Sequence, residues 1–186
     1  MIGFAMTGSH CTLSLALGEL ERLVKHGYDV QPIMSDSVYS TDTRFFHSDL
    51  LKRRVEEITG HGIIHTVREA EPLGPARPME HLIIAPTTGN TLAKLASGIT
   101  DTAVTMAAKA HLRRDRPLLL AIASNDAMSQ NLQNLARIIS RRSVYLVPMK
   151  QDDPIGKPHS LVADFSRLYE CFLAMQRGEQ LRPLFV

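Results

Sequence analysis

The sequence predicts an α/β fold: a Rossmann-like, doubly wound parallel sheet in three layers. Three observations predict it. Short, almost wholly apolar runs recur at 2–7, 82–85, 117–123 and 144–147, the pattern of strands buried on both faces. Between them lie stretches with apolar residues at helical spacing, long enough to serve as right-handed crossovers onto a parallel sheet. The length of 186 residues with 44% hydrophobic content supports a core without disulfides or a structural metal, so residues 1–186 are read as one domain.

The elements follow in order. Residues 2–7 run into Gly8, a strand ended by a tight turn. Leu13, Leu17, Leu20 and Val24 mark one face of the next helix, and Gly27 stops it. Residues 28–34 form a second strand, with Pro32 arguing for its end or an edge position. A polar stretch covers Ser35 to Arg44, and a helix is expected from about Ser48 to Thr59. Residues 63–67 suit a short strand. Glu71 to Met79 holds Pro72, Pro75 and Pro78 and is expected to be a loop. The remaining apolar runs are strands separated by helices near 91–97, 102–113 and 127–140. The 102–113 helix is apolar around much of its circumference and belongs in the core or at a subunit contact. A last helix is expected from Leu161 to Gln176.

Composition removes several function classes. A formal net charge of +2 is too small to argue for nucleic acid or an anionic membrane surface. The absence of Trp and the 5% aromatic content disfavour a base-stacking platform. No run approaches the roughly 18 apolar residues of a membrane span, and the first residues show no leader pattern, so a cytoplasmic protein is expected. Cys11 and Cys171 lack paired spacing and read as free thiols, Cys11 as a small buried packing residue. His61 and His65 have no companion ligands, so no metal is expected.

In doubly wound sheets ligands bind beyond the carboxyl ends of the strands. That rule selects Thr7-Gly8-Ser9-His10, the stretch from Ser35, Pro86 to Thr91, and Ser124 to Met128. A G-x-G-x-x-G fingerprint and a P-loop are both missing. Gly8 and Ser9 at a helix start suit a phosphate, or Ser9 merely caps the helix. The run Ala85-Pro86-Thr87-Thr88-Gly89-Asn90-Thr91 is more informative. It takes a buried strand straight into hydroxyls, a glycine that permits close approach, and an amide with a donor and an acceptor.

This run resembles the Pro-x-x-x-Asn-Thr signature of the flavin-dependent cysteine decarboxylase superfamily, which includes the flavin prenyltransferases. Asp101, and the Asn-x-x-Met of Asn125-Asp126-Ala127-Met128, extend the resemblance. It implies a flavoprotein-decarboxylase type of fold with FMN on the loops after the first three strands. The contacts implied are Gly8, Ser9 and Ser35, then Thr87, Thr88, Gly89 and Thr91, then Asp101 and Thr102. Asn90 and Asn125 take catalytic roles. The superfamily habit implies a homo-oligomer, a trimer or a multiple of one. One departure is informative. The register of the decarboxylase catalytic histidine falls near Pro72, and His65 lies out of register, which argues against a working cysteine decarboxylase.

Within the superfamily, four stretches resemble the B-subunit family of dipicolinate synthase. They are Val38 to Phe45, Asn90 to Met106, Gln151 to Pro154 and Lys157 to Asp164. The resemblance implies a subunit that acts with a nicotinamide-binding (NADP) A subunit in the mother cell of a sporulating bacterium. The pair would oxidise a dihydrodipicolinate-level precursor to pyridine-2,6-dicarboxylate. A dicarboxylate needs cationic partners, and Arg44 and Lys157 are the candidates, with Met128 beside the substrate. Two alternatives stay open: a stand-alone FMN-dependent decarboxylase or prenyltransferase, and a non-catalytic organising partner.

Overall fold

The computed structural model describes the whole chain except Pro75 and Arg77. Pro75, one of the three prolines behind the expected 71–79 loop, therefore lies outside the described residues.

The first apolar run forms β1 (Ile2–Met6), buried along its whole length. Helix α1 (Leu13–Lys25) buries Leu13, Ala16, Leu20 and Leu23, while Leu17 and Val24 sit half-buried on the flank of that face. Gly27 ends the turn at φ +84°, a backbone conformation that glycine adopts without a Cβ penalty. Strand β2 (Val30–Met34) lies at the edge of the parallel sheet, as Pro32 predicts. The amide of Met34 and the carbonyl of Pro32 both point outward to Ile64, so the proline's missing donor falls on the outer edge and costs no bond to β1. The expected strand at 63–67 reduces to this single bridge at Ile64.

The polar stretch after β2 contains a short helix, α2 (Asp36–Ser40). Then come α3 (Ser48–Thr59) and α4 (Val67–Ala70), the latter closed by a capping box between Thr66 and Glu69. Strand β3 (His81–Thr87) leads into α5 (Gly89–Ser97) and α6 (Ala103–Leu112). Helix α6 is buried on most sides, as its composition predicts. Strand β4 (Leu118–Ser124) is followed by α7 (Leu132–Ile139) and β5 (Val144–Leu146). The helix expected from 127 starts later because the Asp126 carbonyl takes the amides of Ser129 and Asn131 in a turn.

Two further strands, β6 (Met149–Lys150) and β7 (Leu161–Ala163), precede α8 (Leu168–Gln176). This corrects the expected helix 161–176. Val162 and Leu161 instead pair antiparallel with Ala123 and Ser124 at the end of β4. Asp164 then caps a 3-10 turn through the Ser166 amide at 3.2 Å, and only beyond it does the helix begin. Cys11 is a second correction. In the 3-10 turn His10–Thr12 it is exposed, and Thr12 takes the buried position. Cys171 is buried, and both thiols are free.

The parallel strands run in the order β2-β1-β3-β4-β5, and β7 and β6 extend the sheet antiparallel from the far half of β4. Helices α1, α3 and α8 cover one face around Phe4, Met6, Leu20, Ile83 and Phe172. Helices α5, α6 and α7 cover the other around Ile84, Leu92, Ala107, Leu120 and Ile122. The result is the three-layer, doubly wound α/β fold that the sequence predicts.

Candidate functional site

Strand order reverses at β1, with β2 on one side and β3 on the other. Crossovers leave such a point in opposite directions and open a crevice beyond the carboxyl ends of the strands. A cleft of about 440 Å³ lies there. Thr7 and Gly8 line it after β1, and Ser35, Asp36 and Ser37 after β2. Thr88, Asn90, Thr91 and Lys94 line it after β3, with Thr102 from the start of α6.

A buried hydroxyl fixes the floor. Thr7 Oγ1 donates to the Pro86 carbonyl at 2.7 Å and accepts the Thr88 amide at 3.0 Å, which locks the β1 and β3 turns together. Thr88 caps α5 by accepting the Thr91 amide at 3.2 Å, leaving the first amides of that helix without intrahelical acceptors. The hydroxyls of Ser35 and Ser37 meet at 3.0 Å. Gly8 lies against them, where a Cβ would come within 2.8 Å of Ser37 Oγ. Asn90 is exposed to the cleft, and its amide makes no hydrogen bond to another described side chain.

Lys94 Nζ donates to both Asp101 oxygens, at 2.8 and 2.9 Å. That ammonium holds the Asp101 carboxyl below its ordinary pKa. The pair is close to neutral from a distance, so the attraction for an anion comes mainly from the α5 N-terminus and the hydroxyl donors. This donor set fits a phosphate monoester, and Asn90 faces whatever lies above it.

The expected site residues divide on this geometry. Gly8, Ser35, Thr88, Asn90, Thr91 and Thr102 converge on the cleft. Ser9 stands just outside, its hydroxyl accepting from Thr12 Oγ1 at 3.0 Å. Thr87 does not reach the cleft: it is fully buried and its hydroxyl donates to the Ile84 carbonyl at 2.7 Å. Asp101 touches the cleft only through Lys94. Asn125 is exposed at the end of β4, and Met128 is half-buried with its amide on the His159 carbonyl. Neither lines the cleft. Arg44 is exposed over its neighbour Phe45, and Lys157 pairs with Asp152 at 2.9 Å, so neither cation is aimed at this cleft. His61 pairs with Asp29 and His65 stacks on Tyr39, so the two do not share a site.

Gly89, the first residue of α5, is also required by packing behind the helix. A Cβ there would lie 2.5 Å from Ser124 Oγ, 2.7 Å from Asn131 Nδ2 and 2.7 Å from Asp126 Oδ1. These three side chains bond to one another: Ser124 Oγ donates to Asp126, and Asn131 Nδ2 donates to its other oxygen at 2.8 Å. The cluster braces the α5 N-terminus from behind. Gly89→Ala is expected to cost about 1–3 kcal/mol by overpacking, read as a lower urea midpoint at unchanged slope. A neutral result would mean that the brace does not press on the glycine.

Sequence reasoning missed Asp36, Ser37 and Lys94 as cleft residues. A signal existed for two of them. Lys94 lies one helical turn beyond Asn90, and Ser37 repeats the hydroxyl of Ser35 two residues on. Nothing in the sequence singled out Asp126 as the centre of a brace, because its partners Ser124 and Asn131 meet only through a turn.

The Flavoprotein family profile matches residues 1–164. The B subunit of dipicolinate synthase from Bacillus subtilis (strain 168) is 42% identical over 185 residues, covering 100% of this chain and 92% of that protein. The crystal structure of the B subunit of dipicolinate synthase from Bacillus halodurans C superposes with a TM-score of 0.91 at 40% identity, covering 100% of this chain and 95% of the other. The fold is also that of AnUbiX (PadA1), solved in complex with FMN and dimethylallyl pyrophosphate. It matches with a TM-score of 0.63 at 23% identity, covering 79% of this chain and 76% of that one. No helix among the described residues is long and apolar enough to cross a membrane. This chain belongs to the Flavoprotein family and is a homologue of the B subunit of dipicolinate synthase.

Proposed function

We propose that the chain is the flavin-binding B subunit of a dipicolinate synthase, one flavoprotein-like domain working with a nicotinamide-binding A subunit during sporulation. The substrate is a dihydrodipicolinate-level precursor and the product pyridine-2,6-dicarboxylate. The observation that carries the reading is the hydroxyl-lined cleft at the strand-order reversal, on a chain alike over its full length to that family of subunits. FMN is the cofactor, its phosphate held by the α5 N-terminus with Thr88, Ser35 and Ser37. NADP belongs to the partner, and the chain works as a homo-oligomer in the mother-cell cytoplasm.

Aromatising the ring removes a hydride and a proton, and a bound flavin supplies a hydride acceptor. The chain's own residues bind and orient. Asn90, with a free amide on the cleft, positions a carboxylate or ring substituent, and the Thr7 lock keeps the β1 and β3 turns at fixed spacing. The decarboxylase alternative loses ground, because the register of its histidine falls near Pro72, inside the 3-10 turn Glu71–Leu73.

The test is visible absorbance of the purified chain, with mass spectrometry of any released chromophore and titration with added FMN. Flavin bands and an FMN mass at about one per chain are expected. A colourless protein that takes up no added FMN would sink the reading in favour of an organising partner without cofactor.

A further inference from the structure

Helix α5 separates the first cleft from a second one of about 360 Å³. The two share no residues: Asn90, Thr91 and Lys94 face the first, while Leu95, Ile99 and Thr100 face the second. The floor of the second cleft is apolar, formed by Leu95, Ile99 and Leu112. Its rim carries Lys109 from α6, Arg113 from the C-cap of that helix, and Arg141 from the bend after α7.

All three rim cations are exposed. No carboxylate among the described residues pairs with any of them. Lys94 and Lys157, by contrast, each have such a partner. A neighbouring cleft shares Arg141 and adds Arg142 and Arg182, so the positive potential is reinforced from the side. Cations in the last turn of a helix also meet its carbonyl ends. That effect explains Lys109 and Arg113, but not an apolar floor left open to water with Ile99 47% exposed.

We propose that this cleft is a second ligand site, for a small organic anion carrying two anionic groups on an apolar body. The volume falls in the range of small-molecule sites. The apolar body covers Leu95, Ile99 and Leu112 and releases the water over them. The two guanidinium forks match carboxylate or phosphate oxygens, and Lys109 adds a point charge. A concave cleft with an apolar floor fits a small molecule better than a flat polyanionic surface does.

The test is isothermal titration calorimetry of the full chain at low salt, with isophthalate as the probe and benzoate and inorganic pyrophosphate as controls. Saturable binding of isophthalate is expected, tighter than of either control, which lack one charge or the apolar body. The double variant Arg113→Ala/Arg141→Ala is expected to weaken it at least ~10-fold, the loss of two charge-assisted contacts at an exposed rim. Circular dichroism and melting temperature are expected to stay at wild-type values. Arg141→Gln, on an exposed bend, serves should the double variant fold poorly.

Absence of saturable binding overturns the proposal. So does an unchanged affinity in the variants, which would place the probe in the first cleft. Pyrophosphate binding as tightly as isophthalate removes the apolar body from the ligand's description and overturns it in that form. A wild type that takes no isophthalate, with a double variant of altered oligomer size in sedimentation, assigns the cations to a subunit contact instead.

Discussion

Phe172→Ala is expected to cost about 3–5 kcal/mol, the range for removing a fully buried aromatic side chain from a core. Phe172 has no exposed surface. It meets Tyr28 edge-on with centroids 5.1 Å apart and His81 edge-on at 5.5 Å, so it ties α8 to the sheet and to the turn before β2. In a chain of this size each kcal/mol moves the midpoint by about 2–4 °C, which makes a fall of roughly 6–20 °C. Helix α8 covers the face opposite α5 and contributes nothing to the first cleft. The variant should therefore still take up FMN at low temperature, while its thermal midpoint drops. A loss below about 1 kcal/mol would mean that α8 is not packed on the sheet as described.

The second large effect is in pH. His111 on α6 is 2% exposed, and its Nε2–H donates to the Pro117 carbonyl at 2.7 Å. Burial pushes its pKa down from 6.5 to about 4, opposed by that hydrogen bond and assisted by the charges of Arg116 and His81. In the unfolded chain the imidazole takes up a proton near its ordinary value, whereas in the folded chain it resists until about pH 4. The stabilisation is therefore complete above pH 6.5 and is lost as pH falls from 6.5 towards 4. The full loss is about 3 kcal/mol, at about 1.4 kcal/mol per unit. Urea unfolding at pH 7, 6 and 5 reads it before most carboxylates titrate. His111→Gln keeps a donor for Pro117 without titrating, and should flatten the slope. An equally steep slope in that variant would assign the pH dependence elsewhere, with half-buried His81, whose pKa burial also lowers, as the next group to replace.

The parallel sheet was legible because most of its strands are local apolar runs buried on both faces, and the longer helices carry their own spacing signals; the short helices Asp36–Ser40 and Val67–Ala70 carry none and were not expected. Pro32 announced an edge because the missing donor is a property of one residue. The Asn90 loop was legible for the same reason: its hydroxyls, glycine and amide are consecutive, so neighbouring residues display the chemistry together.

The rest depended on where distant segments meet. Leu161 to Ala163 became a strand because the end of β4 offered unpaired carbonyls and amides, and that pairing outweighed local helical preference. Gly89 reads as a glycine that permits close approach of a ligand, and the structure adds a long-range reason for it: the space of a side chain there is taken by Ser124, Asp126 and Asn131, some forty residues on in the sequence. Thr87 and Thr88 read alike, yet Thr87 closes a strand buried on both faces, with its hydroxyl on the Ile84 carbonyl, while Thr88 leaves the strand to cap the next helix and line the cleft. Arg44 and Lys157 read as grips for a dicarboxylate, and the structure places them away from the first cleft, Arg44 over the Phe45 ring and Lys157 against Asp152. The sequence alone determined the layers and the loop that faces the cleft, since periodicity and turn chemistry are local. Only the tertiary structure decided which side chains point into that cleft and which unpaired cations gather behind it, since those are matters of long-range contact.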